Sequence, residues 1–306
     1  MKRNILVNVM KNKSIALFIF VIALMSSDSW AVGPQKDNAA APVVVSSTWL
    51  SENLSKPEVI ILHITTTRQE YDNGHIPGAG FLWPGYIVIS TEKESTVPAP
   101  TSFVAKLLRS LGVNNDSHII LCGTNGNIIT VCRIFVSLEH IGLKGKISIL
   151  DGGYDSWKSA GNKVTAESSV IKKGNFSPSI NENLVDISFV QKNLKNTSYS
   201  IIDARAKSQY EGTGGGQRAG HIPGAHNLPQ SDFYDSKTNI FLDAEKVRQS
   251  FEKLNIPAGS RPVFYCNSGN SASVDYVAAL IAGLNPVVYD GSMEEWGAKL
   301  DIPVEK

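Results

Sequence analysis

Cysteine is scarce, with three residues in a chain of 306. Three thiols cannot all pair within one chain, so the fold is no disulfide scaffold. No Cys-x-x-Cys pair occurs, which leaves dithiol redox chemistry without its motif. Neither sign of charge is in excess: 29 Lys+Arg face 28 Asp+Glu, a net of +1. That balance excludes the basic surface of a nucleic-acid binder. Glycine and proline stand at 25 and 14 residues, ordinary levels that exclude a collagen-like repeat or long disorder. The histidines show no metal-ligand spacing, so neither a metal nor another cofactor is implied. The longest apolar run, residues 14–25, is 12 residues, short of the roughly 20 that span a bilayer.

That run follows Lys2, Arg3, Lys11 and Lys13 and precedes Ser29-Trp30-Ala31. A positive start, a short apolar stretch and small residues at positions −3 and −1 make residues 1–31 a secretory signal peptide. An uncleaved anchor is the alternative. The expectation is a periplasmic or secreted bacterial protein with a mature start near Val32. No stable membrane association is expected after cleavage. The compartment would be oxidising.

The rest of the chain repeats itself. Val45-Ser-Ser-Thr-Trp49 matches Val185-Asp-Ile-Ser-Phe189, and Ile60-Ile-Leu-His63 matches Ser200-Ile-Ile-Asp203. Gly74-His-Ile-Pro-Gly-Ala79 recurs as Gly220-His-Ile-Pro-Gly-Ala225. Ile119-Ile-Leu-Cys122 matches Val263-Phe-Tyr-Cys266, and Asp151-Gly-Gly-Tyr-Asp-Ser-Trp157 matches Asp290-Gly-Ser-Met-Glu-Glu-Trp296. Blocks recurring in one order define two homologous repeats, residues 42–165 and 181–306. A polar stretch with Gly and Pro, residues 166–180, reads as the linker.

Each repeat alternates short apolar runs with amphipathic stretches at helical spacing. Val59–Leu62, His118–Leu121 and Ile147–Leu150 read as strands in the first repeat. Tyr199–Ile202, Val263–Tyr265 and Pro286–Tyr289 read as strands in the second. Helices are expected over Phe103–Leu111, 128–140, Ala244–Leu254 and 272–282. Strand–helix alternation argues for a parallel sheet covered on both faces. Ligands then sit beyond the C-terminal ends of the strands, where Cys122 and Cys266 both fall.

Cys266 is followed by Asn267, Ser268, Gly269, Asn270 and Ser271, with a helix expected from near Ala272. Such a loop can curl so that successive N–H groups point at the sulfur, and the helix start adds positive potential. Both would favour a thiolate nucleophile. The loop alone leaves open a buried structural cysteine at a strand end.

Gly-His-Ile-Pro-Gly-Ala in both repeats, Asp203-Ala-Arg205, the Cys266 loop and Tyr289-Asp-Gly-Ser-Met-Glu-Glu-Trp296 together resemble the rhodanese (sulfurtransferase) family. The resemblance covers nearly all of the chain after residue 31. It implies an α/β fold of two tandem rhodanese-like domains, each a parallel sheet flanked by helices. It implies an inactive first domain and ping-pong transfer at the second. Cys266 would take a sulfane sulfur from a small anionic donor as a persulfide and pass it to a thiol or cyanide acceptor. Phosphatase chemistry needs an Arg six residues after the Cys, and Ala272 stands there.

The resemblance also divides the donors. Thiosulfate-type loops carry basic residues after the Cys. Mercaptopyruvate-type loops are neutral, and Cys266-Asn-Ser268-Gly269 keeps their Ser and Gly. Of the two Arg residues that mercaptopyruvate enzymes use, one falls on Gln209 and the other on Arg218. The signal peptide and the Asp290 motif are closer to secreted thiosulfate enzymes, so thiosulfate is the expected donor, with 3-mercaptopyruvate as the alternative. A catalytically weak binding or sulfur-carrier module is the non-enzymatic reading. His75 matches the histidine of the family's Ser-His-Asp relay, with Ser268 as its partner. Arg205 either ties its loop to an acid or meets the donor, and Arg218 is the candidate cation for the donor. His221 reads as structural. Cys132 lies in an apolar helix as core. Cys122 stands where Cys266 stands in the second repeat and is a candidate second thiol. Trp83 is a candidate for lining the inter-repeat cleft.

Overall fold

Apolar runs too short for a helix become buried strands, and the amphipathic stretches between them become the helices that cover the sheets. The computed structural model describes residues 40–124, 126–214 and 218–306. The expected signal peptide lies outside these residues. The first repeat runs β1 (Val44–Val45), α1 (Ser47–Asn53), β2 (Val59–Ile64), α2 (Arg68–Asn73) and β3 (Gly80–Leu82). A hairpin of β4 (Val88–Ile89) and β5 (Val97–Pro98) follows. Then come α3 (Thr101–Ser110), β6 (His118–Gly123), α4 (Ile128–Leu138), β7 (Ile147–Leu150) and α5 (Gly153–Ser159). The second repeat runs β8 (Leu184–Val185), α6 (Ile187–Asn193), β9 (Tyr199–Asp203), α7 (Lys207–Tyr210) and β10 (His226–Asn227). It ends with α8 (Ala244–Glu252), β11 (Arg261–Tyr265), α9 (Asn270–Ile281), β12 (Val287–Tyr289) and α10 (Ser292–Ala298).

Two five-stranded sheets result, ordered β1-β7-β6-β2-β3 and β8-β12-β11-β9-β10. Every pairing within them is parallel. The two orders correspond strand for strand, so the sequence repeat is a repeat of topology. Helix starts follow local chemistry. The Ser46 and Asp186 side chains accept from the N–H groups of Trp49 and Phe189 at matching helix starts, which satisfies otherwise unpaired donors.

The departure from the expected elements that bears on the Cys266 loop is at α9, which begins at Asn270 instead of near Ala272. Gly269 adopts φ 82°, a left-handed conformation that glycine takes freely, and closes the loop early. The stretch 166–180 has no helix or strand, yet it is not a free tether. Gly174 and Phe176 donate to the carbonyls of Arg109 and Val113 at 2.8 and 3.1 Å, and Phe176 is buried.

The repeats meet where α4 packs on α9, their equivalent helices. Val131, Phe135, Val274 and Val277 belong to one apolar cluster that runs through both repeats. Polar bonds cross the same boundary. Asn183 Nδ2 donates to the Val136 carbonyl at 3.0 Å, and the Tyr276 hydroxyl to Glu139 Oε2 at 2.7 Å. Among the described residues, no helix is long and apolar enough to cross a membrane.

Asp275 is an exception inside this interface. It is fully buried, and neither carboxylate oxygen has a hydrogen-bond partner. Burial, reinforced by Asp203 and Asp232, pushes its carboxyl well above the usual carboxylate range. Burial thus favours its protonated form in the folded state. The unfolded chain ionises the same group near pH 4. Its contribution to stability is complete below about pH 4 and is lost as pH rises toward the folded-state value. Asp275→Val, which removes a buried unpaired polar group worth about 2 kcal/mol, is expected to raise Tm at pH 7.5 by about 5 °C. Thermal melts from pH 4 to 8 should also show a flatter pH dependence for the variant.

Candidate active site

Strand β11 delivers Cys266 to the C-terminal edge of the second sheet, and its side chain lies just below the surface, 3% exposed. The chain then turns through Asn267, Ser268 and Gly269, while Asn270 and Ser271 open α9. The motif starting at Asp290 brackets this turn. Cys266 N–H donates to Ser292 Oγ at 3.1 Å, and that hydroxyl donates to the Tyr289 carbonyl at 2.9 Å. In return, Met293 N–H donates to the Cys266 carbonyl at 3.0 Å and Glu294 N–H to that of Asn267 at 2.8 Å. Ser273 Oγ donates to the Gly269 carbonyl at 2.8 Å. Among the described residues, nothing accepts from the N–H groups of Asn267, Ser268 and Gly269. Unengaged amides beside a thiol at a helix start are suited to binding an anion.

A side chain at 269 would be strained by the positive φ and crowded. A Cβ there would lie 3.1 Å from both Arg133 Nη1 and Asp290 Oδ1. Those two groups form an ion pair of 2.6 Å, with the Arg133 side chain 1% exposed. Arg133 Nη2 also donates to the Thr96 carbonyl at 3.2 Å, and the Thr96 hydroxyl donates to the Ser268 carbonyl. Ser95 donates to Glu294 through both its N–H and its hydroxyl, at 3.0 and 2.8 Å. The β4–β5 hairpin of the first repeat thus rests on the Cys266 loop. Its Glu94 carboxyl is pushed up by partial burial and by the charges of Asp290, Glu295 and Glu294. The rim beside the loop is therefore acidic. The sequence reading missed Thr96 and Arg133, although a single charge in the apolar run Ile128–Leu138 was a visible signal.

The cations expected at the donor are engaged elsewhere. Arg205 Nη2 lies 2.6 Å from Asp203 Oδ2 and donates to the Gly220 carbonyl at 2.7 Å; both side chains are buried. The guanidinium is thus tied to Asp203 and to the Gly220 turn, and it also lies close enough to Cys266 for their charges to interact. Arg218 donates to the Lys299 carbonyl at 2.7 Å and to that of Ile302. These carbonyls follow α10, so Arg218 pins the C-terminal segment and is not free to meet a donor.

His75 also departs from expectation. Its Nδ1 lies 2.8 Å from the Tyr71 carbonyl oxygen and its Nε2 3.2 Å from that of Glu167. Its ring stacks on Tyr71 at 3.8 Å. Both nitrogens lie against main-chain carbonyls, one in the first repeat and one in the linker, so His75 has neither nitrogen free for a relay with Ser268. His221 repeats the arrangement, stacked on Tyr210 at 3.7 Å with Nδ1 2.8 Å from its carbonyl oxygen. The Tyr71 and Tyr210 hydroxyls each donate at 2.6 Å, to the carbonyls of Ala79 and Ala225. Gly-His-Ile-Pro-Gly-Ala is thus a structural corner used twice.

Cys122 occupies the equivalent strand end but is fully buried, and burial pushes its thiol far above the ordinary range. It is not a thiolate near neutral pH. His63, its register partner on β2, has no hydrogen-bond partner on either ring nitrogen. Burial lowers the His63 pKa to about 4. Cys132 is core, as expected. Trp83 is 43% exposed and meets Tyr86 edge-on at 5.2 Å.

Comparison with known proteins gives two matches to the Rhodanese-like domain, over residues 46–160 and 186–299. The chain is 32% identical over 280 residues to the 3-mercaptopyruvate sulfurtransferase of Escherichia coli K12, covering 85% of this chain and 97% of that protein. It is 28% identical over 273 residues to the thiosulfate sulfurtransferase of Mus musculus, covering 83% and 91%. The crystal structure of the Escherichia coli 3-mercaptopyruvate enzyme superposes with a TM-score of 0.70 at 27% identity, covering 82% of this chain and 99% of that one.

The two arginines should separate in their variants. Arg205→Ala leaves Asp203 buried and unpaired, a loss of about 3–5 kcal/mol, so Tm is expected to fall by roughly 10 °C. Arg218→Ala loses two partly exposed bonds, about 1–2 kcal/mol, and should leave the donor KM unchanged. Scanning fluorimetry and donor titration check both.

Proposed function

The chain belongs to the rhodanese-like family as two domains in tandem, and from that premise we propose that Cys266 carries sulfur as a persulfide between thiosulfate and a thiophilic acceptor. The chain is a sulfurtransferase by its relatives. The observation that carries the finer reading is the Cys266 loop, with three amides unengaged beside a thiol at the start of a 12-residue helix.

In the first half-reaction the Cys266 thiolate attacks the outer sulfur of thiosulfate. The S–S bond of the donor breaks, its electron pair leaves with sulfite, and the sulfur stays on Cys266 as a persulfide anion. In the second, cyanide or a thiolate attacks the outer persulfide sulfur and restores the Cys266 thiolate. The loop amides stabilise the anionic sulfur through both halves as fixed dipoles. They need no side-chain cation, which agrees with the engagement of Arg205 and Arg218 elsewhere. The same engagement favours thiosulfate over 3-mercaptopyruvate, whose carboxylate calls for a guanidinium. Ser268-Gly269 and the Escherichia coli relative support 3-mercaptopyruvate as the second reading.

Cys266→Ser should keep its fold and lose all but a few per cent of sulfur transfer to cyanide. The wild-type chain treated with thiosulfate should gain about 32 Da at Cys266, as a persulfide reaction requires. A wild-type chain that gains no mass and transfers no sulfur would leave a binding module in its place.

The acidic rim gives an independent test. A carboxylate near the loop repels a dianionic donor across partly aqueous space. Glu94→Gln is expected to raise kcat/KM for thiosulfate about threefold at pH 8 and low salt. Screening should erase the difference at high ionic strength.

A further inference from the structure

We propose that the first repeat, with its own thiol buried, positions the Cys266 loop of the second, and that Thr96 and Arg133 are the positioning residues. The inference rests on the reading of Cys266 as the nucleophile. The loop is held in two halves from two sources. Its Cys266–Asn267 half is fixed within the second repeat by Ser292, Met293 and Glu294. The contact to the Ser268 carbonyl comes from the first repeat, and Gly269 is flanked by Arg133 of the first repeat and Asp290 of the second.

The peptide unit between Ser268 and Gly269 is planar and trans, so its C=O and N–H point in opposite directions. Thr96 donates to that carbonyl and so fixes the direction of the Gly269 N–H. This amide is one of the three without an acceptor. Should the carbonyl be released, a rotation of the plane would turn the N–H away, and glycine on one side permits such a rotation.

Arg133 secures Thr96 in turn. Its Nη2 donates to the Thr96 carbonyl at 3.2 Å, while Nη1 pairs with Asp290 at 2.6 Å. It stands on α4, the helix clamped against α9, so the hairpin, the helix and the loop are joined through one guanidinium. Gly269 lies against both members of the ion pair, which leaves the loop no room to move toward them.

Thr96→Val keeps the shape and removes the donor, and Thr96→Ser keeps the donor. The two are compared by kcat/KM with thiosulfate and cyanide, by the rate at which iodoacetamide alkylates Cys266 at pH 7, read by mass, and by Tm. Loss of one hydrogen bond to the loop is expected to lower kcat/KM about tenfold in Thr96→Val. Alkylation should slow about fivefold, because a thiolate that loses an amide is less populated. Tm should stay within about 2 °C, and Thr96→Ser should restore both rates to within twofold. Arg133→Lys, which keeps the charge but loses the planar fork, should fall between wild type and Thr96→Val.

Rates within twofold of wild type in both Thr96→Val and Arg133→Lys overturn the proposal. So does a loss of transfer with alkylation unchanged, which would place Thr96 on the donor instead of on the loop. A loss that tracks Tm and is not restored in Thr96→Ser would mean a purely structural contact, and overturns it too. Alkylation needs no sulfur donor. Were wild type inactive with thiosulfate, that measurement alone would still decide the positioning, and the failure would belong to the donor reading.

Discussion

Burial of helix α4 against helix α9 is the contact on which the rest of the molecule depends. Each is largely apolar around its circumference: α4 buries nine residues between Ile128 and Leu138, and α9 buries eight from Ala272 to Ala279. A helix of that kind cannot lie on a sheet with its outer face in water. Each supplies the cover the other requires, so neither repeat is complete alone. Because α9 begins at Asn270, three residues beyond Asn267, the packing that satisfies the core also fixes where the Cys266 loop emerges.

The two repeats exchange caps as well as helices. The β4–β5 hairpin of the first rests on the loop of the second through Ser95 and Thr96. In the opposite direction, Phe241 N–H donates to Asp151 Oδ1 at 3.0 Å, and Thr238 and Ile240 lie over Gly152. Similar scaffolding surrounds chemically different thiols. Asp203 pairs with Arg205 on β9, while the equivalent stretch on β2 has His63 unpaired and Thr65 bonded to Glu70. Cys122 is sealed in an apolar cluster with Leu150 and Trp157. Cys266 sits below a loop whose amides are unengaged. Duplication of the fold has preserved the frame while the two strand-end thiols differ in their surroundings.

The frame was legible because its signals are local and periodic. Apolar runs gave β2, β6, β9 and β11 within a residue or two, and the recurrence of Gly-His-Ile-Pro-Gly-Ala gave the domain order. The strand-end position of Cys266 was legible too, although two of the five small or polar residues after it, Asn270 and Ser271, belong to α9. The surrounding roles were not, and the reason is physical. Arg218 binds the carbonyls of Lys299 and Ile302, and His75 lies against those of Tyr71 and Glu167. Backbone acceptors are present at every residue, so a sequence cannot say which ones a side chain will find. Arg205 was readable only because Asp203 is two residues away. Arg133 was conspicuous as a lone charge in an apolar helix, but its partner Asp290 belongs to the other repeat.

Among the described residues, the guanidinium groups near the loop, Arg133 and Arg205, are each paired with a carboxylate, and this has a consequence for turnover on the proposed reading. A guanidinium that grips thiosulfate would grip sulfite nearly as well, because both are oxyanions, and such uniform binding lowers KM without raising kcat. Fixed amides act mainly on the sulfur that stays with Cys266. They are as useful to the thiolate as to the persulfide, and they do not hold the departing anion by its oxygens. The carboxylates of Glu94, Glu294 and Glu295 then act on both ends of the half-reaction. They oppose entry of the donor and favour exit of sulfite, and the exit gains as much as the entry loses when the two anions carry the same charge. On that reading the site trades donor affinity for product release, with the persulfide as the anion that the loop amides retain.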